Sequence, residues 1–213
     1  MSPGLAVEPG MGLAALGIEL RLWLFDLDAW DGAADGLPDA VTQRATRFVR
    51  DVDRRRYLAS QAALRRVLGV CQAPWPIGTH GKPALADGPP HFNLSRRDGW
   101  ALVGVSSTHE LGVDIETLRA IDDAQELARL HFTPRERDAV TDTEAFLQVW
   151  TRKEACMKAT GLGLSLPPSS FECGAEPAPA RVRIATPSRN WLLLLNTPKV
   201  AAPAVLSWAV VLA

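Results

Sequence analysis

An α+β fold in two similar subdomains is what this sequence predicts, and three observations carry that prediction. Each half of the chain reads as several strand segments with one or two long helical stretches. The segments Trp100-Ala101-Leu102-Val103 and Trp208-Ala209-Val210-Val211 end the two halves with similar residues, although so short an apolar match also arises by chance. A chain of 213 residues, 47% hydrophobic and 22% charged, suits one large domain or two small ones sharing a core. The expected division is a mobile amino-terminal segment at 1–15, a first subdomain at 16–110 and a second at 111–213.

Residues 1–15 carry Pro3, Gly4, Pro9, Gly10 and Gly12 with little periodicity, so no element is expected there. Ile18, Leu20, Leu22 and Leu24 then alternate with Glu19, Arg21 and Trp23, a strand pattern that stops at Asp26 to Asp28. From Thr42 to Leu68, Phe48, Val52, Leu58, Ala62 and Leu64 recur at roughly helical spacing, and Gly69 closes the segment as a C-cap. Prolines and glycines from Pro74 to Pro90 mark a long irregular connection. Strands follow near His91 to Leu94, Gly99 to Ser106 and Leu111 to Glu116. Thr133-Pro134-Arg135-Glu136 reads as a capping box opening a helix. A long helix covers Thr143 to Thr160 and stops at Gly161 and Gly163; the rest is strand-like at Arg181 to Ala185, Trp191 to Asn196 and Ala204 to Leu212.

Composition narrows the function classes. A net charge of -1 and a pI near 6.4 give no global basic field for nucleic acid or an anionic membrane. The charge is uneven, however: eight arginines lie between Arg44 and Arg66, against only Asp51 and Asp53. Such a local patch on a neutral protein suits a small polyanionic ligand better than a polymer. Cys71, Cys156 and Cys173 have neither metal-ligand spacing nor a disulfide framework, as expected of reduced thiols. The longest apolar runs fall far short of the ~20 residues a membrane span needs, and the first residues do not read as a signal peptide. A cytoplasmic protein is expected.

Three constellations could carry chemistry. On a strand over Gly112-Val113-Asp114-Ile115-Glu116, Val113 and Ile115 face the core while Asp114 and Glu116 share the other face, roughly 6.6–6.8 Å apart along the chain. Carboxylates so placed repel unless a cation lies between them, and hard oxygen ligands suit Mg²⁺. The same spacing also describes a half-exposed strand with an acidic outer face. On the long helix, Phe146, Trp150, Glu154 and Lys158 stand four apart, which puts Glu154 at the margin of an apolar face beside Lys153. A surface Glu154–Lys158 pair worth about 0.3–0.5 kcal/mol fits that spacing equally well. The cations form the third set: the Arg44–Arg66 segment, the Gly81-Lys82-Pro83 turn and Ser95-Arg96-Arg97. A rigid turn can fix a lysine that must meet a phosphate, while an ordinary solvated face accounts for the arginines as well.

Taken together these segments resemble the larger, Sfp-like class of 4'-phosphopantetheinyl transferases. The residues that carry the resemblance are Gly112-Val113-Asp114-Ile115-Glu116 and Trp150-Thr151-Arg152-Lys153-Glu154-Ala155-Cys156-Met157-Lys158, then Gly161-Leu162-Gly163-Leu164. Gly81-Lys82-Pro83, Phe92-Asn93-Leu94-Ser95 and Asp53-Arg54-Arg55-Arg56 look like the family's upstream motifs, in the right order. The likeness runs from about Thr42 to Phe171. It implies a pseudo-twofold α+β fold, each half a small sheet packed on a long helix, with the active site between the halves. By family pattern Asp114, Glu116 and Glu154 hold Mg²⁺ with the coenzyme A diphosphate, and Lys158 contacts the phosphate being transferred. Arg56, Lys82, Ser95 and Arg96 line the coenzyme A site, with Arg44 in addition. The family usually has a histidine where this chain has Arg96; arginine is always charged and can fork onto phosphate.

The implied reaction moves 4'-phosphopantetheine from coenzyme A to a serine of an apo acyl or peptidyl carrier protein, releasing 3',5'-ADP. Glu154 is the expected base, with Glu116 or a metal-bound water as alternatives. The carrier is expected to dock after Glu116, through the Thr133-Pro134 region, on a monomer that binds neither nucleic acid nor membrane. A Mg²⁺-dependent phosphohydrolase or nuclease could use the same carboxylates but would release product without a carrier. A non-catalytic coenzyme A or nucleic-acid binding relative is the other alternative. The Arg-rich segment lacks the aromatic interleaving that nucleic-acid binding would call for.

Overall fold

The structure, a computed structural model, describes residues 4–10, 12–32, 36–70, 75–78 and 80–213. Two four-stranded antiparallel sheets make the frame. In the first, β1 (Leu5–Val7), β2 (Leu20–Asp26), β4 (Trp100–Ser106) and β3 (His91–Arg97) lie in the order β1-β2-β4-β3. In the second, β5 (Leu111–Thr117), β8 (Ala204–Val211), β7 (Asn190–Asn196) and β6 (Ala180–Ala185) lie in the order β5-β8-β7-β6. Helix α2 (Asp51–Leu68) follows β2, and helix α5 (Thr143–Thr160) sits between β5 and β6. The path β2, α2, β3, β4 is thus repeated by β5, α5, β7, β8, and the sheet order β2-β4-β3 by β5-β8-β7. The two-subdomain α+β fold is therefore present.

Strand alternation sorts the side chains into layers. Leu20, Leu22, Leu24 and Leu102 of one sheet meet Leu111, Val113, Ile115, Leu206 and Trp208 of the other in a core between the sheets. Phe25, Phe92, Ala101 and Val103 turn the opposite way, onto Ala63 and Leu64 of α2. Leu193, Leu195 and Ala209 likewise pack on Phe146, Leu147, Ala155 and Met157 of α5. The order is helix, sheet, sheet, helix. The two similar Trp-Ala segments fall on the corresponding strands β4 and β8. Their positions differ, since Trp100 opens its strand and Trp208 is the fifth residue of its own.

Helix α5 spans Thr143–Thr160, as its end signals require: the Asp142 side chain accepts from Ala145 N at 2.8 Å, and Gly161 takes φ +73°. The Thr133 capping box opens the short helix α4 (Pro134–Asp138), which follows α3 (Ala124–His131). Elsewhere the structure differs from the sequence expectation. The helical spacing from Thr42 to Leu68 is broken into α1 (Asp39–Ala45) and α2, with Thr46 to Arg50 between them. The chain folds back there because Phe48 packs on Tyr57, ring centroids 5.2 Å apart, beside Val41 and Ala45. In the segment at 1–15, expected to lack structure, Leu5–Val7 pairs with β2 and buries Val7. The carbonyls of Pro9 and Gly10 accept from Asn196 Nδ2 at 2.9 and 3.1 Å, and Pro9 O also accepts from Trp208 Nε1 at 3.0 Å. Cys71 and Pro74 lie outside the described residues; Cys156 and Cys173 are free, buried thiols. Among the described residues no helix is long and apolar enough to cross a membrane.

Candidate active site

β5 lies against α5 at unusually close range because Gly112 has no side chain. A Cβ there would stand 2.2 Å from Ala155 O and 2.3 Å from Ala159 N. That contact sets the carboxylates of β5 opposite the last turns of α5. Asp114 is 5% exposed, and its Oδ1 accepts from Lys158 Nζ at 2.5 Å and from Ser95 Oγ at 2.8 Å. Its Oδ2 is buried without a hydrogen-bond partner. Glu116, two residues on, is held through Oε2 by Arg119 Nη1 at 2.7 Å and Arg97 Nε at 3.3 Å. Glu154 is half-buried, and no hydrogen bond or ion pair reaches its carboxylate among the described residues. Burial raises its pKa, the charges of Asp114 and Glu116 raise it further, and Lys158 works against them.

The surface Glu154–Lys158 pair allowed by the spacing does not form; Lys158 reaches across to Asp114 instead. Arg152 and Lys153, from the same run, belong to the core. Arg152 donates to the carbonyls of Cys173, Gly174 and Ala178, and Lys153 pairs at 2.6 Å with Glu136, both side chains 1% exposed.

A divalent cation fits this donor set. The charges of Asp114 and Glu116 raise the cost of ionising Glu154, and Asp114 Oδ2 is buried without a hydrogen-bond partner. Among the described residues no three His, Cys, Asp or Glu side chains are already drawn into a closed ligand cluster. Their cationic neighbours explain that, since Lys158 draws on Asp114 while Arg97 and Arg119 draw on Glu116.

The cations expected to bind coenzyme A divide between places. Arg56, Ser95, Arg96 and Lys158 line one open cleft of about 480 Å³, together with Phe48 and Arg97. Arg56 is fixed there by a two-point contact with Asp28, at 2.7 and 2.5 Å, which holds the Asp28 carboxyl below its usual pKa. Arg96 stands 5.4 Å from the Phe48 ring and 5.3 Å from the Tyr57 ring, and the exposed Arg44 lies 5.8 Å over Tyr57 as well. Lys82 is elsewhere. Its ammonium pairs with Glu110 at 2.6 Å, donates to Ala159 O at 3.2 Å and lines a separate cavity of about 550 Å³ with His80, His91 and Trp191. Burial lowers its pKa, and Glu110 opposes that. A third cleft, of about 710 Å³, opens beyond Glu116 between Arg97, Arg119, Ile121 and Trp150.

Sequence reasoning missed Arg97, Arg119, Asp28 and Glu110 as partners of the site residues. One signal was available. Ser95 and Arg97 share the period of two of Asp114 and Glu116, so neighbouring strands would pair them rung by rung.

Comparison with known proteins decides the family. The model of the 4'-phosphopantetheinyl transferase superfamily matches residues 110–202, the stretch that carries the acidic strand and α5. The 4'-phosphopantetheinyl transferase HetI of Nostoc sp. is 33% identical over 173 residues, covering 72% of this chain and 73% of HetI. This chain belongs to the 4'-phosphopantetheinyl transferase superfamily. Likeness extends to the transferase AcpT of Salmonella typhimurium, 36% identical over 140 residues that cover 61% of this chain and 69% of AcpT. The transferase Sfp of Bacillus subtilis is 35% identical over 99 residues, 43% of each chain. The family model thus matches the second half of this transferase, where β5 and α5 carry the three carboxylates and Lys158.

Proposed function

We propose that this transferase is a holo-[carrier protein] synthase: it moves 4'-phosphopantetheine from coenzyme A to a serine hydroxyl of an apo acyl or peptidyl carrier protein and releases 3',5'-ADP. The observation that carries the reading is Asp114, with one oxygen shared between Lys158 and Ser95 and the other buried and unpartnered, two residues from Glu116 and electrostatically coupled to Glu154. Asp114, Glu116 and Glu154 would hold Mg²⁺, which would withdraw charge from the diphosphate and stabilise the leaving nucleotide. Lys158 meets the transferred phosphate from the side of Asp114. Arg56, Ser95 and Arg96 bind the nucleotide end, in the cleft they share with Lys158. Arg44, over the same Tyr57 ring that Arg96 faces, adds positive potential near the cleft.

Glu154 is the base that takes the serine proton. Its carboxylate lacks the cations that tie up the alternatives, since Glu116 is held by two guanidiniums and Asp114 by Lys158. Burial raises its pKa in the metal-free protein, a shift that a bound Mg²⁺ would oppose. Lys82 contributes differently from the other cations: it ties the Gly81-Lys82-Pro83 turn to the end of α5 through Ala159 O. The carrier docks beyond Glu116, along α3 and the Thr133-Pro134 turn. The enzyme acts as a cytoplasmic monomer, without nucleic acid or membrane.

Intact-mass measurement of an apo carrier protein incubated with this protein, coenzyme A and Mg²⁺ tests the proposal. A gain of one phosphopantetheine, lost on adding chelator, is the expected result. Release of nucleotide without any gain on the carrier would replace it with a phosphohydrolase.

A further inference from the structure

Where the two halves meet, β3 runs beside β5 and side chains make the rungs. Asn93 Oδ1 accepts from Val113 N at 2.9 Å, Ser95 Oγ donates to Asp114 Oδ1 at 2.8 Å, and Arg97 Nε stands 3.3 Å from Glu116 Oε2. The third rung differs from the first two. Arg97 meets its neighbours through charge alone: Nε lies 3.3 Å from Glu116 and 3.9 Å from Asp98 without making a hydrogen bond, and neither terminal nitrogen is hydrogen-bonded among the described residues. Arg97 also borders two clefts at once, the one it shares with Arg56, Arg96 and Lys158 and the one beyond Glu116. Arg119 holds the same Glu116 oxygen but borders only the second cleft.

Charge favours a ligand at this point. The cleft is lined by four cations, Arg56, Arg96, Arg97 and Lys158, against two carboxylates, Asp53 and Asp98, so an anion arriving at the free terminal nitrogens of Arg97 meets net positive charge. Arg97 lines the same cleft as Arg56 and Lys158 and also lies 3.3 Å from Glu116, so it stands where that cleft meets the carboxylates. Guanidinium is planar and always charged, so one side can stay beside Glu116 while the other forks onto phosphate.

We propose that Arg97 is a substrate-binding residue of this transferase, its terminal nitrogens taking a coenzyme A diphosphate oxygen while its charge stays beside Glu116. The inference rests on the functional reading above and adds a residue outside the expected coenzyme A set. Arg119 is the positioning residue on the other side of Glu116, with no contact to the nucleotide.

Calorimetric titration of 3',5'-ADP and coenzyme A, with chelator present, separates the two roles. Arg97→Ala should weaken binding by about 10- to 100-fold, the worth of one charge-assisted hydrogen bond. Arg97→Lys should recover part of that loss, because the charge returns without the fork. Arg119→Ala should bind the nucleotide within twofold of the parent and change only the Mg²⁺ dependence of transfer. Melting temperatures of the variants report any purely structural effect. Parent-like binding by Arg97→Ala would overturn the inference; if that variant fails to fold, parent-like binding by Arg97→Lys, with no change in coenzyme A KM, would do the same. Failure of the parent protein to bind coenzyme A would overturn the functional reading itself, an outcome the variants cannot mimic.

Discussion

Glu154 is a carboxylate whose surroundings work against its charge: it is half-buried, carries no hydrogen bond among the described residues, and faces the fields of Asp114 and Glu116. Its proton is held more tightly in the folded chain than in the unfolded one. The stability this contributes is present in full below the ordinary carboxylate pKa and lost as pH rises through the raised value. At neutral pH the ionised group therefore costs stability in the absence of metal. Glu154→Gln should lower transfer by roughly 10²–10⁴-fold, through loss of the base, while raising the metal-free melting temperature. Turnover assays and a thermal melt at pH 7 check both halves; near-parent turnover would remove Glu154 from the role. Site residues of this kind were legible in the sequence wherever one element sufficed, as with Asp114 and Glu116 on one face of β5. Arg97 was not, since its partner is chosen by how one half of the molecule registers against the other.

Elements add constraints that no single residue carries. Gly112 lets β5 approach α5 so closely that a methyl group would overlap backbone atoms of Ala155 and Ala159. Gly112→Ala should cost about 1–3 kcal/mol or more by overpacking and should also cut turnover, by moving Asp114 away from Glu154 and Lys158. Denaturant melts and single-turnover rates measure the two effects. On its opposite face α5 is anchored by the buried pair of Lys153 with Glu136, which also accepts from Cys173 N at 2.7 Å and from Thr133 N at 3.0 Å. Burial pushes the Glu136 pKa up, but Lys153 and the backbone donors outweigh it and leave the value below the ordinary 4.5. The resulting stability is present above pH 4.5 and lost as pH falls through the lowered value. Lys153→Met should cost about 3–5 kcal/mol at neutral pH by stranding Glu136. That deficit should narrow on acidification, which urea unfolding at several pH values would reveal. The end of α5 was readable because Gly161 is a local stop signal. The break between α1 and α2 was not, because the helical spacing of Phe48 persists in sequence while its ring packs back on Tyr57.

At the scale of the whole molecule, the amino-terminal strand ties the two halves together. β1 extends the first sheet, and the carbonyls of Pro9 and Gly10 then reach β7 and β8 of the second. Trp208 is fully buried, so removing Pro9 O leaves its indole N–H without its acceptor, at a cost of about 1–3 kcal/mol. Deleting residues 1–10 should lower the melting temperature and weaken coenzyme A binding together, because the cleft lies between the halves that the strap joins. An unchanged melt would show that the strap is dispensable. Three residues cannot display a period, and so β1 left no signal in the sequence; the open edge of β2 recruits it.

What the sequence determined by itself is whatever depends on neighbours along the chain: the class of fold, the extent of α5 and the glycine that ends it, and the shared face of Asp114 and Glu116. It also carried the motif order that marks the family. Only the tertiary structure decided which charge meets which. Lys158 could pair with Glu154 by helical spacing yet pairs with Asp114, and Lys82 turns from the cleft to Glu110 and the end of α5. Hydrogen-bonding and ion-pairing groups act over a few ångströms, and those distances are set by the packing of two sheets and two helices rather than by positions in sequence.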